Sequence, residues 1–183
     1  VQVAGSARAA TVNIDNSPVT GLNVVNVAGP GTKVSVQNST INCNDNNTTK
    51  GESYAALCLH KDGIGASIIA TNTTINVTEG SDSEKGRNGA EDGVVTINGS
   101  TDEVSISVAR IDAGNYYHAF SSLAKAIEFA KAGQTITLLK DLSSSEIITI
   151  DKAITIDGND KTLTSTISGA TGRAININVN GEV

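Results

Sequence analysis

The residues able to perform acid–base chemistry are few and scattered along this chain. Histidine occurs twice, at His60 and His118. An imidazole at His60, two residues before Asp62, has the chemistry of a general base. The Asp-Gly pair at this point favours instead a strand that ends in a turn. Because catalysis requires titratable groups that converge, the sequence predicts no catalytic residue.

Three consecutive ring-bearing residues, Tyr116, Tyr117 and His118, form one candidate ligand site. Aromatic rings of this kind stack on apolar ligand surfaces while their polar tips form hydrogen bonds, so the row predicts a sugar-stacking patch. The alternative is that the same residues pack a connecting segment against a neighbouring helix. We name them as predicted ligand-binding residues and keep packing as the alternative.

A charged, glycine-rich run over residues 79–93 is a second candidate. It contains Asp82, Glu84 and Arg87. Insertions in a repetitive fold emerge on one side of it and are the places where binding evolves. We therefore predict that these three residues contact a partner, while a solvated flexible loop would have the same composition.

Metal and disulfide chemistry have weak signals. The segment 157–160, Asp-Gly-Asn-Asp, supplies too few ligands for Ca²⁺, which takes roughly six or more oxygens, and is predicted to be a turn. No metal and no cofactor is predicted. Cys43 and Cys58 either close a disulfide around the Asn-rich stretch between them or stay free as small buried thiols.

The composition excludes several classes of protein. Lys and Arg number 13 against 19 Asp and Glu, the net charge is -6, and no basic cluster occurs, which argues against a nucleic-acid partner. No apolar run approaches the roughly 20 residues of a membrane span, and no signal peptide is recognisable. Aromatic residues make up 3% of a chain rich in Val, Ile, Thr and Asn, a composition that favours β-strands.

An internal repeat organises the first half of the chain. Segments beginning at Val12, Val34 and Ile68 each read apolar-x-apolar-x-Asn-Ser/Thr-x-apolar, and a weaker copy begins at Val95. The alternation predicts short strands, and the central Asn tolerates the left-handed backbone of a sharp bend. Stacked units share a continuous core, so the repeat predicts a β-solenoid whose turn asparagines bond from coil to coil in ladders.

A helical pattern over residues 121–132 interrupts the strands. Apolar residues recur there at the spacing of one helix face: Leu123, Ala126, Ile127 and Ala130. Ser121 or Ser122 can cap its start, and Gly133 favours its end. The end of a solenoid exposes strand edges and an open core that proteins cover, so we predict that this helix caps the coils that follow it. On those coils, Ile136, Ile154 and Ile175 are expected to align.

Residues 116–183 carry a resemblance. Tyr-Tyr-His-Ala-Phe-Ser-Ser-Leu from Tyr116, Gly-Gln-Thr-Ile-Thr-Leu from Gly133 and Ile-Thr-Ile-Asp-Gly-Asn from Ile154 resemble the opening of pectate-lyase-like, right-handed parallel β-helix modules of large secreted or wall-attached bacterial proteins. The resemblance implies an all-β, right-handed parallel β-helix with one short capping helix. The pectate lyases of this fold use Ca²⁺ beside an Arg or Lys, but Arg173 is the only arginine after the predicted helix, so no catalytic residue is carried over.

The sequence therefore predicts solenoid coils over residues 1–112, a connector over 113–120, and the capping helix with further coils over 121–183. The two halves either mark a junction between tandem modules or stack as one permuted solenoid. Open solenoid ends predict head-to-tail self-association.

The predicted function is that of a non-catalytic β-helical module of a bacterial surface protein, secreted or attached to the cell surface. It serves as a rigid stalk or adhesin-like segment whose protruding loops bind a glycan or a surface protein. Neither nucleic acid nor membrane insertion is expected. The alternative is a fragment of a carbohydrate-active enzyme of the lyase or hydrolase type, because the same coil geometry serves all these activities.

Overall fold

The computed structural model describes residues 1–44, 54–79, 83–114, 116–168 and 173–179. The chain divides into two compact units, the first formed by Val1–Thr48 and Ser53–Ile106, the second by Thr49–Glu52 and Ser107–Val183. The described residues are mostly β-strands in parallel sheets, which confirms the predicted all-β class. Across these same residues, no helix has the length and apolar character needed to span a membrane.

The first unit consists of short strands that visit three sheets in turn. The strands are β1 (Gln2–Val3), β2 (Thr11–Asp15), β3 (Pro18–Gly21), β4 (Val25–Val27), β5 (Lys33–Gln37), β6 (Thr40–Cys43), β7 (Ala55–Leu59), β8 (Ser67–Thr71), β9 (Thr74–Val77), β10 (Glu84–Asn88), β11 (Val94–Ile97) and β12 (Val104–Ile106). The sheet orders are β1-β4-β7-β10-β12, β2-β5-β8-β11 and β3-β6-β9. Every strand pair in them is parallel, and successive strands from β1 to β11 belong to the three sheets in rotation.

The repeat read from the sequence is the register of the structure. Val12 pairs with Val34, Val34 with Ile68, and Ile68 with Val95, so the weaker fourth copy also takes its place. Of these side chains, Val34, Ile68 and Val95 are at most 2% exposed and lie in one core. Inward apolar side chains therefore stack directly on their equivalents in the next repeat. These stacked aliphatic side chains fill the core of the first unit without large aromatic residues.

The turn asparagine of each copy has the left-handed backbone that the sequence predicts. The φ angles are 52° at Asn16, 49° at Asn38, 47° at Asn72 and 50° at Asn98. Asparagine occupies this region more readily than other non-glycine residues because its short polar side chain bonds locally. The Asn98 side chain also bonds to the preceding repeat: its Nδ2 donates to the Thr73 carbonyl oxygen at 2.9 Å, and its Oδ1 accepts from the Thr73 N–H at 3.0 Å.

The predicted ladder of turn asparagines is confirmed between Asn38 and Asn72, and a second asparagine pair joins two strands. Asn72 Nδ2 donates to Asn38 Oδ1 at 2.8 Å, and Asn38 Nδ2 donates in turn to Asp15 Oδ1 at 3.1 Å. On the neighbouring sheet, Asn76 Nδ2 donates to Asn42 Oδ1 at 2.9 Å. The side chains thus repeat the main-chain register on the outer surface.

The second unit combines a hairpin, one helix and two further turns of strands. Its elements are β13 (Ala109–Ala113), β14 (Tyr116–Phe120), α1 (Leu123–Phe129), β15 (Thr135–Leu138), β16 (Leu142–Ser144), β17 (Ile148–Ile150), β18 (Thr155–Asp157), β19 (Leu163–Ser165) and β20 (Ile175–Ile177). The sheet orders are β14-β13-β15-β18, β16-β19 and β17-β20. Residues 113–120, assigned to a connector from sequence, thus contain a strand that pairs antiparallel with β13.

The predicted helix forms but is shorter than residues 121–132. Ser122 caps it by accepting the Lys125 N–H at 3.2 Å, and the backbone is already extended at Ala130. Lys152 Nζ donates to the Glu128 and Ala130 carbonyl oxygens at 2.8 and 2.9 Å, which satisfies acceptors at the helix end. The early end lets the chain turn at Gly133, φ 83°, directly into β15.

Two elements, α1 and β13, contact the first of the strands that follow the helix. Leu123, Ala126 and Ile127 of the helix join the core formed by the following strands. The free edge of β15, however, is paired antiparallel by β13, with Ile111 opposite Ile136. A strand therefore satisfies the main chain at this edge, while the helix supplies apolar side chains.

One expected alignment in the second unit is wrong. Ile136 pairs with Ile156, two residues beyond the expected Ile154, and Ile175 pairs with Ile148. A shift of two residues along a strand keeps every side chain on its original face, so the apolar pattern alone cannot distinguish the two registers.

Replacement of Asn72 tests the contribution of the left-handed turns. Asn72→Gly removes the bond to Asn38 but retains the backbone freedom, whereas Asn72→Ala also places a side chain that resists positive φ there. We expect the Ala variant to be less stable than the Gly variant by about 1 kcal/mol in urea unfolding. Equal stabilities would show that the turn conformation contributes nothing specific.

Candidate functional site

The predicted ligand-binding residues fall into three groups in the structure. Asp82 lies outside the described residues, and only the backbone of Tyr116 belongs to them. Tyr117 and His118 lie on β14, and Glu84 and Arg87 lie on β10. The two strands belong to different units, so each is treated separately.

Tyr117 and His118 point to opposite faces of their strand. The His118 ring packs against Phe129 of the helix with 4.5 Å between ring centroids, as the packing alternative describes. Because successive strand residues alternate in direction, Tyr117 lies on the other face. There the Arg110 guanidinium carbon lies 6.0 Å from the centre of the Tyr117 ring. The structure therefore does not bring these two residues together in one stacking patch.

Pairing in the sheet places a set of polar side chains on the same face as Tyr117. Tyr117 is opposite Asp112, and Arg110 precedes Asp112 by two residues on the same strand. Arg110 is opposite Thr137, which is opposite Asp157 on β18. We call these five residues the Tyr117 face.

The Tyr117 face combines groups that suit a polar ligand with a flat apolar surface. Arg110 Nε lies 3.5 Å from Asp112 Oδ1. This nitrogen is buried and has no hydrogen-bond partner among the described residues. The Asp112 side chain is 60% exposed, so its carboxylate can accept hydrogen bonds from outside. An aromatic ring beside a guanidinium and a carboxylate can contact a sugar ring and its hydroxyl groups, or a polar protein surface.

Arg110 and Asp112 are functional candidates that the sequence prediction missed. Their signal lies in the alternation of residues 109–112, Ala-Arg-Ile-Asp, where Ala109 and Ile111 are almost completely buried. Such alternation marks a strand with one face in the core, and the polar residues between must then share the other face.

The charged run predicted as a loop contains the strand β10. Arg87 and Glu84 form an ion pair there, with Nε to Oε2 at 2.8 Å and side chains only 5% and 15% exposed. The Ser105 hydroxyl from the neighbouring strand also donates to the Glu84 carboxylate. At Gly86, an added Cβ would lie 3.0 Å from a Val104 methyl group, so glycine permits the close approach of the two strands. The composition of this run predicts a loop because it does not show which charged side chains form buried ion pairs.

Cys43 and Cys58 are not joined by a disulfide. Cys43 is buried, and its thiol lies 2.9 Å from the Leu22 carbonyl oxygen. Cys58 lies between two core leucines, Leu57 and Leu59, and strand alternation directs it to the opposite face. Burial raises the pKa of the Cys58 thiol, while the positive charge of Arg87 opposes this shift. A protonated thiol is a poor nucleophile, so we expect the Cys58 thiol to react slowly in the folded protein.

His60 lies in the turn that follows β7. Its Nδ1 is 3.2 Å from Asp62 Oδ2, and the Gly63 N–H donates to the His60 carbonyl oxygen at 2.9 Å. Burial lowers the pKa of the imidazole, and the Asp62 carboxylate partly offsets this. The contacts are those of a tight turn, as the Asp-Gly pair predicts.

No family model, curated protein or solved structure matches this chain. Function is therefore inferred from the order of the strands and from the chemistry of the Tyr117 face.

Removal of Arg87 tests the buried ion pair. Arg87→Ala leaves the Glu84 carboxylate buried without its counter-ion, and we expect a loss of about 3–5 kcal/mol in the free energy of unfolding. Lys85→Ala is the matched control, because Lys85 pairs with Glu103 at the exposed surface and its removal costs less than about 1 kcal/mol. Similar losses for the two variants in urea titrations would contradict the assignment.

The protonated Cys58 thiol gives a pH dependence. Because its pKa in the folded protein is raised above the ordinary 9.0, the folded protein retains a proton that the unfolded chain loses. Stability from this group is complete below pH 9.0 and falls as the pH rises through the folded pKa. The measurement compares urea unfolding of the natural protein and Cys58→Ala between neutral and alkaline pH. A stability difference that does not change with pH would refute a raised pKa.

Proposed function

We propose that this chain is a non-catalytic, right-handed parallel β-helical module of a secreted or cell-surface bacterial protein. In this role it is a rigid stalk or adhesin-like segment that binds a glycan or a surface protein. The observation that carries the proposal is the strand order of the first unit, where β1 to β11 visit three parallel sheets in rotation. Repeated rotation among three sheets is the connectivity of a β-helix.

Rigidity follows from how successive repeats are joined. Each repeat bonds to the next through parallel main-chain pairing on three sheets, and adjacent strands in a sheet are about 4.8 Å apart. Connections between parallel strands are right-handed in nearly all proteins, which supports the proposed handedness. A stalk built in this way lengthens by adding repeats without adding hinges.

The Tyr117 face supplies the binding surface of the proposal. It differs from the loops predicted from sequence because its residues stand on paired strands, which hold them at fixed spacing. Fixed spacing lowers the entropy lost when a ligand binds. The ring of Tyr117 would contact a sugar or an apolar side chain, while Arg110 and Asp112 hydrogen-bond to its polar groups.

Self-association has support in the coil formed by β18, β19 and β20. Ile175 and Ile177 are 41% and 56% exposed, although Ile150, the register partner of Ile177, is only 9% exposed. Paired residues share a face, so these isoleucines belong to the apolar interior side yet contact solvent. Exposed interior side chains beside a strand edge favour stacking of another coil, and a second copy of this chain offers strands of similar length.

A fragment of a polysaccharide lyase or hydrolase is the second candidate. Arg110 shares its face with Asp112 and Asp157, which places one cation and two carboxylates on the same surface. That grouping is the feature expected of a carbohydrate-active site.

Glycan-array binding combined with turnover assays separates the candidates. Tyr117→Ala is expected to weaken glycan binding about tenfold through loss of the ring contact. Thr164→Ala, on the exposed strand β19 of another sheet, is the control and should bind normally. Binding without turnover supports the module. Unchanged binding by Tyr117→Ala would remove the Tyr117 face from the proposal, and cleavage of polyuronate would establish the enzyme instead.

A further inference from the structure

A groove of about 520 Å³ lies between α1 and β17 in the second unit. Ile127 and Glu128 line it from the helix, and Ile147 and Thr149 line it from the strand side. Ile147 is 50% exposed, while Ile127 is only 6% exposed and contributes to the floor of the groove. The groove thus offers apolar surface along the length of a short strand.

One edge of β17 has no strand partner among the described residues, and Thr149 of this strand lines the groove. The strand β20 uses the other edge, where Ile148 N–H donates to the Ala174 carbonyl oxygen at 3.0 Å and Asn178 N–H donates to the Ile150 carbonyl oxygen at 2.8 Å. Because main-chain groups alternate in direction along a strand, the N–H and C=O of Thr149 point to the edge away from β20. The equivalent edge of β15 is filled by β13, whereas the edge of β17 borders the groove.

The rim of the groove is negatively charged. The side chains of Glu128, Glu146 and Asp151 line it and belong to exposed residues. Lys152 also lines it, but its ammonium group donates to two carbonyl oxygens at the helix end, Glu128 at 2.8 Å and Ala130 at 2.9 Å. Three carboxylates therefore face a ligand, and the one ammonium is already engaged.

We propose that this groove binds an extended basic peptide that adds as a strand to the free edge of β17. Main-chain bonds to Thr149 would provide affinity, as in other cases of strand addition. Alternate side chains of an added strand point in opposite directions, so lysine or arginine residues reach the carboxylates while the residues between contact Ile127 and Ile147. The inference is independent of the Tyr117 face and of glycan binding.

A capped peptide of alternating Lys and Val residues is the probe, and its counterpart with Glu in place of Lys is the ligand control. We expect saturable binding of the lysine peptide that weakens with added salt, and no binding of the glutamate peptide. In the complex, hydrogen exchange of the Thr149 amide should slow at least tenfold, because this N–H becomes bonded to the peptide.

Charge variants test the rim. The double variant Glu146→Gln with Asp151→Asn should weaken the lysine peptide about tenfold at low salt. Asp160→Asn is the matched control, since it removes one exposed carboxylate in the same unit away from the groove and keeps a residue that tolerates its φ of 57°. All three substituted residues are exposed, so thermal unfolding should be nearly unchanged and fold loss does not obscure the result.

Several outcomes would overturn the proposal. Absence of binding, equal affinity of the double variant, or binding of the glutamate peptide would each exclude recognition by this rim. Binding that leaves the Thr149 amide unprotected and is reproduced by spermidine would identify a simple cation site in place of strand addition. None of these results bears on the glycan array, so failure here is distinguishable from failure of the proposed module.

Discussion

Parallel main-chain pairing between successive repeats is the constraint on which the rest of this structure depends. Once one repeat is fixed, its exposed N–H and C=O groups define where the next strand must lie, and the register then places like residues on like. Val34, Ile68 and Val95 stack in this way along one sheet. The core of the first unit is consequently filled by branched aliphatic side chains that stack on one another.

The same constraint explains which polar residues the sheets accept. The turn between two strands must change the direction of the chain while both strands keep their pairing. Asn38 and Asn72 do this with a left-handed backbone, and their side chains bond to each other. A buried charge within a strand needs a counter-ion within reach of its side chain. Arg87 and Glu84 satisfy this on β10, where the absence of a side chain at Gly86 lets the next strand approach.

The parts of the fold that could be predicted from sequence are those that repetition encodes. The repeats starting at Val12, Val34 and Ile68 could be aligned because their turns contain the same residue types in the same order. In the second unit the turns after successive strands differ in residue type, so the alternation of apolar residues alone cannot reveal a two-residue slip, and it aligns Ile154 in place of Ile156. The composition of β10 predicts a loop because the strands that pair with it, β7 and β12, are distant in sequence.

Binding surfaces were harder to predict because they depend on which face a side chain takes. Tyr117 and His118 are neighbours in sequence and lie on opposite faces, whereas Arg110 belongs to the preceding strand of the hairpin and lies beside Tyr117. Pairing also determines where ligands can bind. Inside a continuous sheet both edges of a strand are used, so polar main-chain groups become available only where the repetition is interrupted. In the second unit the hairpin strand β13 closes this opportunity at β15, and the short helix leaves it open at β17. A protein built from repeats paired in parallel therefore acquires new binding chemistry most directly at the elements that interrupt its repeats, because an inserted strand removes an edge and an inserted helix creates a groove beside one.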